Sequence, residues 1–306
     1  MKPKLLIVTG PTGAGKSHLV SELAAELDGE IINADSQQVY RHMDIGTAKP
    51  SKEQRELIRH HVIDVVDPDE AFNVAMFRQL ATESAGYIGQ RGRRVLVCGG
   101  TGLYIKALTR GLFPVPAQDP ALRATLNLAA EAHGLRGLYD QLQEVDPSAA
   151  SWIHPNDRQR IVRALEVYQL TGKPISAWQE DHAFNDKPFE TLKIGLWRDR
   201  AALYHRIDQR SDRMIEAGLI DEVKALADKG YSFELKPLQS VGYRQAGCFL
   251  QGQMTLPQAL SVMKRETRRL AKRQLTWFRG DKEVRWFHPE AERDKIKRLA
   301  EEFLNS

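Results

Sequence analysis

The chain has 306 residues, of which 42% are hydrophobic and 27% are charged, and its formal net charge is +4. This length and balance indicate a globular chain with room for one large domain plus an insertion, or for two domains. The two cysteines, Cys98 and Cys248, are too few for a disulfide framework or a Cys-rich zinc site. No apolar run has the length of a secretion signal or a membrane span, so the sequence predicts a cytoplasmic protein without a membrane partner.

The first motif is a glycine loop that fits the pattern G-x-x-x-x-G-K-[ST]. A short apolar run at residues 5–8 precedes it, and apolar residues recur at helical spacing over residues 17–27. Strand, glycine loop and helix together predict a phosphate or diphosphate site. The alternative is a glycine-rich turn with a surface lysine. The residues assigned to the diphosphate are Gly10, Pro11, Thr12, Gly13, Ala14, Gly15, Lys16 and Ser17, and Ser17 is also the predicted Mg²⁺ ligand.

A second strand is predicted at residues 30–36, with Asp35 at or just past its carboxyl end. Ligands of open α/β sheets bind beyond the strand ends, so Asp35 is expected on the same rim as the glycine loop. An Asp-Ser pair is also typical of a turn or a cap, but its position favours the site. The segment after it, residues 37–50, carries polar side chains able to contact a base.

The next signals are weaker. His60 and His61 precede a short strand predicted at residues 62–65, and a helix is predicted at residues 72–88. We interpret both histidines as structural, because no partners at metal-ligand spacing lie nearby.

A further strong strand signal, residues 93–100, runs into a second glycine loop at residues 99–102. ATP-hydrolysing P-loop proteins usually carry a carboxylate at such a strand end to hold Mg²⁺. Glycines and a threonine stand here instead, which argues against a standard ATPase. Thr101 is expected to contact a substrate anion or to cap the following helix, and the two roles are compatible.

Strand signals vanish and helical spacing dominates from Asp119 to about Trp178. A strand signal returns at residues 191–197, so residues 113–189 are predicted to be an inserted helical subdomain. The predicted fold class is α/β, a P-loop NTPase-like parallel sheet flanked by helices. Residues 1–112 and 190–306 are expected to form this core.

The C-terminal part is rich in basic residues. Two helices are predicted over residues 202–229, with Arg206, Arg210 and Arg213 able to face the rim, and a longer helix over residues 256–278. Residues 264–280 carry a local charge of +6. Interleaved acids would be typical of an ordinary solvated face, so this pattern favours contact with nucleic acid. A last strand at residues 284–287 and a terminal helix complete the prediction.

These motifs resemble the tRNA dimethylallyltransferases, also called tRNA isopentenyltransferases, over nearly the full length. The bacterial form is the closer match, because the sequence lacks the cysteines and histidines of the C-terminal zinc finger found in many eukaryotic members. The matching stretches are GPTGAGKS at 10–17, INADSQQVYRHMDIGTAKP at 32–50, GGTGLYIKAL at 99–108, PNDRQRIVRALEVYQLTGKP at 155–174, QSVGYRQ at 239–245 and TRRLAKRQLTWFRG at 267–280.

The resemblance implies transfer of a dimethylallyl group from dimethylallyl diphosphate to N6 of the adenosine just 3′ of the anticodon, in tRNAs that read codons beginning with U. It implies Asp35 as the base, with Thr101 beside it and Arg210 near the diphosphate, and Mg²⁺ as cofactor. Together with the basic helix, it places at the tRNA Asp35, Ser36, Gln37, Gln38, Thr101, Arg123, Gln159, Arg160, Ile161, Val162, Arg163, Gln239, Tyr243, Arg244, Arg268, Arg269, Lys272 and Arg273.

The expected partners are the anticodon stem-loop of tRNA and dimethylallyl diphosphate, bound by a monomer. Two other functions stay open at this point. A nucleotide or nucleoside kinase shares the P-loop and a carboxylate on the second strand, and would turn over ATP. A non-catalytic RNA-binding P-loop module would bind tRNA without modifying it.

Overall fold

The computed structural model of the protein describes residues 2–116, 118–182 and 186–306. It divides into two compact units, one made of Met1–Thr109 with Pro188–Ser306 and the other of Arg110–Lys187. Within the described residues, no helix is long and apolar enough to cross a bilayer.

The first unit is built on a parallel sheet, as the sequence predicts. Its strands in the described chain are β1 (Lys4–Thr9), β2 (Gly29–Asn33), β3 (His60–His61), β4 (Arg94–Gly99), β5 (Glu190–Leu196) and β6 (Val284–Phe287). They lie in the order β3-β2-β4-β1-β5-β6, and every pair is parallel. The carboxyl ends of β2, β4 and β1 therefore lie side by side, and the loops that follow them form one rim.

Helices connect and cover these strands. They are α1 (Lys16–Glu26), α2 (Lys52–Leu57), α3 (Val74–Gln90), α4 (Gly102–Arg110), α5 (Pro120–Val145), α6 (Pro147–Trp152), α7 (Arg158–Thr171), α8 (Ile175–His182), α9 (Arg200–Glu216), α10 (Leu219–Asp228), α11 (Tyr243–Leu250), α12 (Leu256–Arg279) and α13 (Arg293–Asn305). Of these, α5 to α8 lie in the second unit.

Both faces of the sheet are buried, which is why the strands read as unbroken apolar runs. Leu5 and Ile7 of β1 join a core cluster with residues of α3, α4, α10 and α12. Leu6 and Val8 point to the other face and join a cluster with α1 and α13. Because its side chains alternate between two buried faces, β1 lies inside the unit, and this burial fixes the position of the loop that follows it.

The second unit has a helical core of its own. Leu138 and Leu142 of α5 belong to the same buried cluster as Ile161 and Leu165 of α7. The long helix α5 is kinked at Gly134, whose φ of 79° interrupts the helical backbone.

One predicted strand is wrong in position. The strand expected at residues 62–65 is β3, which ends at His61, and the chain turns directly after it. Val62 and Asp64 have φ of 57° and 54°, outside the range of an extended strand. Lys49 Nζ and Arg55 Nη1 each donate to the Asp64 carboxylate at 2.6 Å, and these two bonds hold the turn. The other predicted strands and helices are confirmed with small changes at their ends.

Candidate active site

The glycine loop after β1, residues 10–17, has the backbone that its sequence demands. Gly10 has a φ of 132°, and a Cβ at this position would lie 2.6 Å from the Leu196 carbonyl oxygen. Gly15 has a φ of 105° and is the N-cap of α1. Side chains at either position would strain or block the loop, so the glycines permit the close turn that leads into α1.

Lys16 folds back over this loop. Its Nζ donates to the carbonyl oxygens of Gly10 at 3.0 Å and Pro11 at 2.9 Å. Burial lowers the pKa of Lys16 to about 8, and the carboxylate of Asp35 opposes the shift. The ammonium group is therefore charged at neutral pH and loses its proton within the mildly alkaline range.

Arginines from distant parts of the first unit hold the outside of the loop. Arg198, just after β5, donates from Nε to the Ala14 carbonyl at 2.9 Å. Arg206, on α9, donates from Nε to the Gly13 carbonyl at 3.1 Å. The motif alone gives no sign of these contacts, because their partners lie far along the chain.

Asp35 lies at the rim beyond β2 and is held by its own turn. Its Oδ1 accepts from the backbone N–H of Gln37 at 2.8 Å, and Gln38 N lies 3.4 Å from the same oxygen. In the described chain no hydrogen bond is made by Oδ2, which leaves it as the oxygen that can take a proton. Asp35 therefore both forms a turn and lies on the rim of the sheet.

Thr101 lies beside Asp35 because β2 and β4 end at close quarters. A Cβ on Gly99 would be 2.0 Å from the Ala34 carbonyl oxygen, so only glycine fits there. Thr101 Oγ1 accepts from the backbone N–H of Ser36 at 3.0 Å. The hydroxyl is thus bonded to the Asp35 turn rather than to the first turn of α4.

Arg210 faces the same point from α9. Burial lowers its pKa from the ordinary value, while the Asp35 carboxylate opposes this shift. Lys16 and Arg210 therefore place two cations near a single carboxylate.

Two cavities meet at these residues. The Lys16 cavity, of about 740 Å³, is lined by Lys16, Ser17 and Asn33 among others. The Gln37 cavity, of about 550 Å³, is lined by the predicted tRNA contacts Ser36, Gln37, Gln239, Arg244 and Arg273. Both share the lining residues Thr12, Asp35, Thr47, Gly100, Arg210, Met214 and Gln274. Asp35 and Arg210 thus stand where the two cavities join.

Tyr243 corrects one prediction. Its side chain is only 1% exposed, so it is not available to tRNA and the predicted side-chain contact is wrong. The hydroxyl donates to Glu222 Oε1 at 2.6 Å, and burial together with that carboxylate raises the pKa of the phenol well above its ordinary value. Gln38 lines the Lys16 cavity rather than the Gln37 cavity, and its Nε2 donates to the Thr47 and Ala48 carbonyls.

Glu222, on α10, was not selected by any motif or pattern in the sequence. Its carboxylate accepts from the backbone N–H groups of Asp44 at 3.0 Å, Ile45 at 2.7 Å and Gly46 at 3.2 Å, in addition to Tyr243. These bonds fix the 44–46 loop, which lines both cavities. Glu222 and Tyr243 are therefore supports of the cavity wall.

The basic face of α12 is partly neutralised, which the sequence did not reveal. Arg268 Nε donates to Asp208 at 3.0 Å, and Lys264 pairs with Asp212 at 2.5 Å, both acids lying on α9. Arg269 pairs with Glu266 at 2.8 Å. Within the described chain, Lys272 and Arg273 have no ion pair and keep their charge available.

In the second unit, only some of the residues predicted to contact tRNA are exposed. Ile161 and Val162 are buried in its core, so the predicted contact of their side chains with tRNA is wrong. Arg123 and Arg163 pair with the fully buried Glu166 at 2.9 and 2.7 Å. Of the segment 159–163, Gln159 and Arg160 are exposed at the start of α7.

The fold and loop together define a class. A parallel sheet whose central strand leads through G-x-x-x-x-G-K-[ST] into a helix is a P-loop core, built to bind a phosphate-bearing substrate. The IPP transferase family model matches residues 38–281. The chain therefore belongs to the IPP transferase family.

Individual relatives agree with the family model. The chain is 50% identical to a tRNA dimethylallyltransferase 2 of Syntrophus aciditrophicus over 99% of this chain and 97% of the relative. It is 50% identical to a tRNA dimethylallyltransferase of Geobacter metallireducens over 96% of each.

Solved structures extend the likeness to the fold. The tRNA isopentenylpyrophosphate transferase of Bacillus halodurans is 40% identical, with a TM-score of 0.74 over 99% of this chain and 97% of that one. A eukaryotic dimethylallyltransferase, described in crystallographic snapshots as acting on tRNA, is 28% identical, with a TM-score of 0.83 over 99% of this chain and 79% of that one. Neither the kinase nor the RNA-binding alternative is favoured by these matches.

Proposed function

We propose that this enzyme transfers a dimethylallyl group from dimethylallyl diphosphate to N6 of the adenosine 3′ of the anticodon, position 37, in tRNAs reading codons that begin with U. The product is N6-isopentenyladenosine and the leaving group is diphosphate. The observation that carries the proposal is the position of Asp35 where the Lys16 cavity and the Gln37 cavity join. One cavity suits a diphosphate and the other suits a base.

The Lys16 cavity supplies the charge that the donor needs. Lys16 and Arg210 are cations at neutral pH, and the phosphate loop offers its backbone and the N-terminus of α1. Diphosphate becomes a good leaving group when the negative charge that develops on it is matched by fixed cations. Lys16 is already held in place by its bonds to the Gly10 and Pro11 carbonyls.

Magnesium fits this cavity as a partner of the substrate. Ser17 provides a hydroxyl oxygen, with the oxygens of Asn33 and Asp35 in the same lining. Within the described residues, no cluster of three or more His, Cys, Asp or Glu side chains could hold a metal ion alone. Mg²⁺ commonly binds through one or two protein oxygens plus phosphate oxygens and water, and there it would neutralise part of the diphosphate charge.

The Gln37 cavity accepts the base. A base stacked in the anticodon loop must leave the stack to react, and polar side chains can hold its edge once it is out. Gln37, Gln239 and Arg244 line this cavity and Arg273 stands at the same wall. The tRNA anticodon stem-loop is the proposed partner.

The chemistry then follows from the junction. The amine of adenine is a poor nucleophile because its lone pair is delocalised into the ring. Asp35 Oδ2 removes a proton from N6 as the nitrogen bonds to C1 of the dimethylallyl group, while the C1–O bond breaks and its electrons leave with diphosphate. Thr101 positions the Asp35 turn through its bond to Ser36 N. We propose a monomer, because every residue of the proposed site belongs to one chain. We also propose that the protein acts in the cytoplasm, where its tRNA substrate is found.

Nucleoside analysis tests the function directly. Unmodified tRNA is incubated with the protein, Mg²⁺ and dimethylallyl diphosphate, digested, and examined by mass spectrometry. We expect a nucleoside heavier than adenosine by one isopentenyl group, formed once per tRNA. A tRNA carrying guanosine at the acceptor position is the control. Absence of the new nucleoside, together with steady turnover of ATP, would contradict the proposal and support the kinase hypothesis.

A further inference from the structure

Gln274, near the end of α12, bonds to both glycine loops with one side chain. Its Oε1 accepts from the backbone N–H of Thr12 in the phosphate loop at 2.8 Å. Its Nε2 donates to the carbonyl oxygen of Gly100, in the loop after β4, at 3.1 Å. The donor and the acceptor of a single amide are thus used on two different loops.

The close fit at Gly100 shows that the amide lies directly against the main chain. A Cβ at position 100 would be 2.3 Å from Gln274 Nε2 and 3.2 Å from its Cδ. A side chain at position 100 would therefore displace the Gln274 amide from the place where it bonds the two loops.

The two bonded loops are the ones whose separation matters for the reaction. Thr12 belongs to the loop that holds the diphosphate, and Gly100 directly precedes Thr101, which bonds the Asp35 turn. Gln274, Thr12 and Gly100 line both cavities. The amide therefore sets the distance between the phosphate cradle and the base that takes the proton.

The same helix also faces the acceptor. Arg273, next to Gln274, lines the Gln37 cavity, and so do Leu270 and Thr267, about one and two turns earlier. Gln274 connects this helix to the phosphate loop by a hydrogen bond, so a displacement of α12 can act on that loop through this amide.

The buried residues of α12 are Ala259, Met263, Ala271 and Phe278, and Gln274 is not one of them. Gln274 is only partly buried, and its bonds go to the two loops.

We propose that Gln274 is a positioning residue that couples tRNA binding to diphosphate binding. The inference rests on the proposed function, since it takes the Lys16 cavity as the donor site and the Gln37 cavity as the acceptor site. Such a coupling is reciprocal, so each ligand must change the affinity of the other by the same factor.

Isothermal titration of the whole protein measures this factor. Inorganic diphosphate with Mg²⁺ is titrated with and without an anticodon stem-loop RNA, in the wild type and in Gln274→Met, which keeps the length and loses both bonds. We expect the RNA to change the diphosphate affinity by at least about fivefold in the wild type. In Gln274→Met the factor falls to within about twofold of unity, and the affinity for RNA alone falls by less than the wild-type coupling factor. No RNA effect in the wild type, or an undiminished effect in the variant, would overturn the coupling.

Two further variants separate positioning from folding. Gln274→Glu can still accept from Thr12 N but sets a carboxylate against the Gly100 carbonyl, so it should lose the coupling as well. Thr276→Ala is the matched control, because Thr276 is exposed and bonds only the Lys272 carbonyl of its own helix. At saturating concentrations of both substrates, the single-turnover rate should fall by about 10²-fold in Gln274→Met and stay at the wild-type value in Thr276→Ala.

Loss of melting temperature in Gln274→Met, together with weaker binding of both ligands, would show a merely structural role and refute the proposal. Failure of the proposed function is distinguishable, because the wild type would then form no prenylated nucleoside whatever the titrations show.

Discussion

The Lys16 cavity and the Gln37 cavity share Asp35, yet they are built in different ways. The phosphate loop of the first is one unbroken stretch, residues 10–17, whose glycines and lysine fix its shape locally. The second is assembled from segments that run from Gln37 through α9 and residues 239–244 to Gln274. The loop of the first cavity is therefore shaped mainly by its own residues, with bonds from Arg198, Arg206 and Gln274 added from outside. The second cavity has no such local segment and depends throughout on residues that lie far apart in the sequence.

The largest effect is expected where the two cavities join. Asp35→Asn keeps the size of the side chain and removes its basicity, so the single-turnover rate should fall by about 10²-fold or more. Both substrates should still bind, because neither cavity loses its main contacts. The measurement is a single-turnover rate with saturating tRNA across a Mg²⁺ titration. If added Mg²⁺ restored the rate, Asp35 would be a metal partner rather than the base.

A change confined to the Lys16 cavity comes next. Lys16→Ala removes a charged hydrogen-bonding group, so kcat/KM for the prenyl diphosphate should fall by about 10- to 100-fold. The Kd for tRNA should stay within about twofold of the wild type, because Lys16 lines only the Lys16 cavity. Lower tRNA affinity with normal diphosphate kinetics would contradict the division between the cavities.

The lowered pKa of Lys16 adds a pH test of the same cavity. Diphosphate binds the protonated amine, and in the free protein this group loses its proton near pH 8. Binding above that pH takes up a proton, so the affinity should fall by up to about tenfold per pH unit from pH 8 upwards. Titration of inorganic diphosphate between pH 6 and about pH 9.5 gives the slope. In Lys16→Arg the guanidinium stays charged throughout this range, and the slope should be lost.

A smaller effect should follow from loosening the wall of the Gln37 cavity. In Glu222→Gln one oxygen becomes an NH₂ group facing backbone donors of the 44–46 loop, so the loop loses part of its support. We expect the KM for tRNA to rise by about tenfold, as for an unmade buried hydrogen bond. Asp221→Asn on the same helix, whose carboxylate is exposed, is the matched control. Equal effects in both variants would mean that the charge of α10 matters and the loop support does not.

The smallest effect should come from single charges on α12. Replacing Arg273 or Lys272 with Gln should weaken all tRNAs alike and reduce the slope of log Kd against log salt by about one unit for each lost phosphate contact. Arg268→Gln should change the slope less, because Asp208 already neutralises this arginine. An equal slope change in Arg268→Gln would show that tRNA displaces the ion pair.

The features of the Lys16 cavity are easier to predict from the sequence than those of the Gln37 cavity. The phosphate loop, the strands of the sheet and the position of Asp35 on the rim were all predictable, because each depends on residues close together in the chain. Strand 62–65 was misplaced, since the turn at Asp64 depends on Lys49 and Arg55 rather than on apolar alternation.

The supports of the Gln37 cavity were not predictable from local pattern. Nothing in the sequence singles out Gln274, and its bonds to Thr12 and Gly100 appear only in the structure. Tyr243 is assigned to tRNA by the family resemblance, and only the structure shows that its hydroxyl donates to Glu222. In each case the partner lies far away in the sequence, and periodicity carries no record of such pairs.

The attachments of the phosphate loop have a consequence for how the chain is made. The loop lies near the N-terminus and leaves the ribosome early, but Arg198, Arg206 and Gln274, which hold its backbone, are synthesised much later. The central strand β1 also lacks one neighbour until β5 has been translated. A nascent chain therefore cannot complete the proposed diphosphate site until α12, the proposed tRNA-binding helix, has been made, so the two proposed substrate sites are completed at the same stage of synthesis.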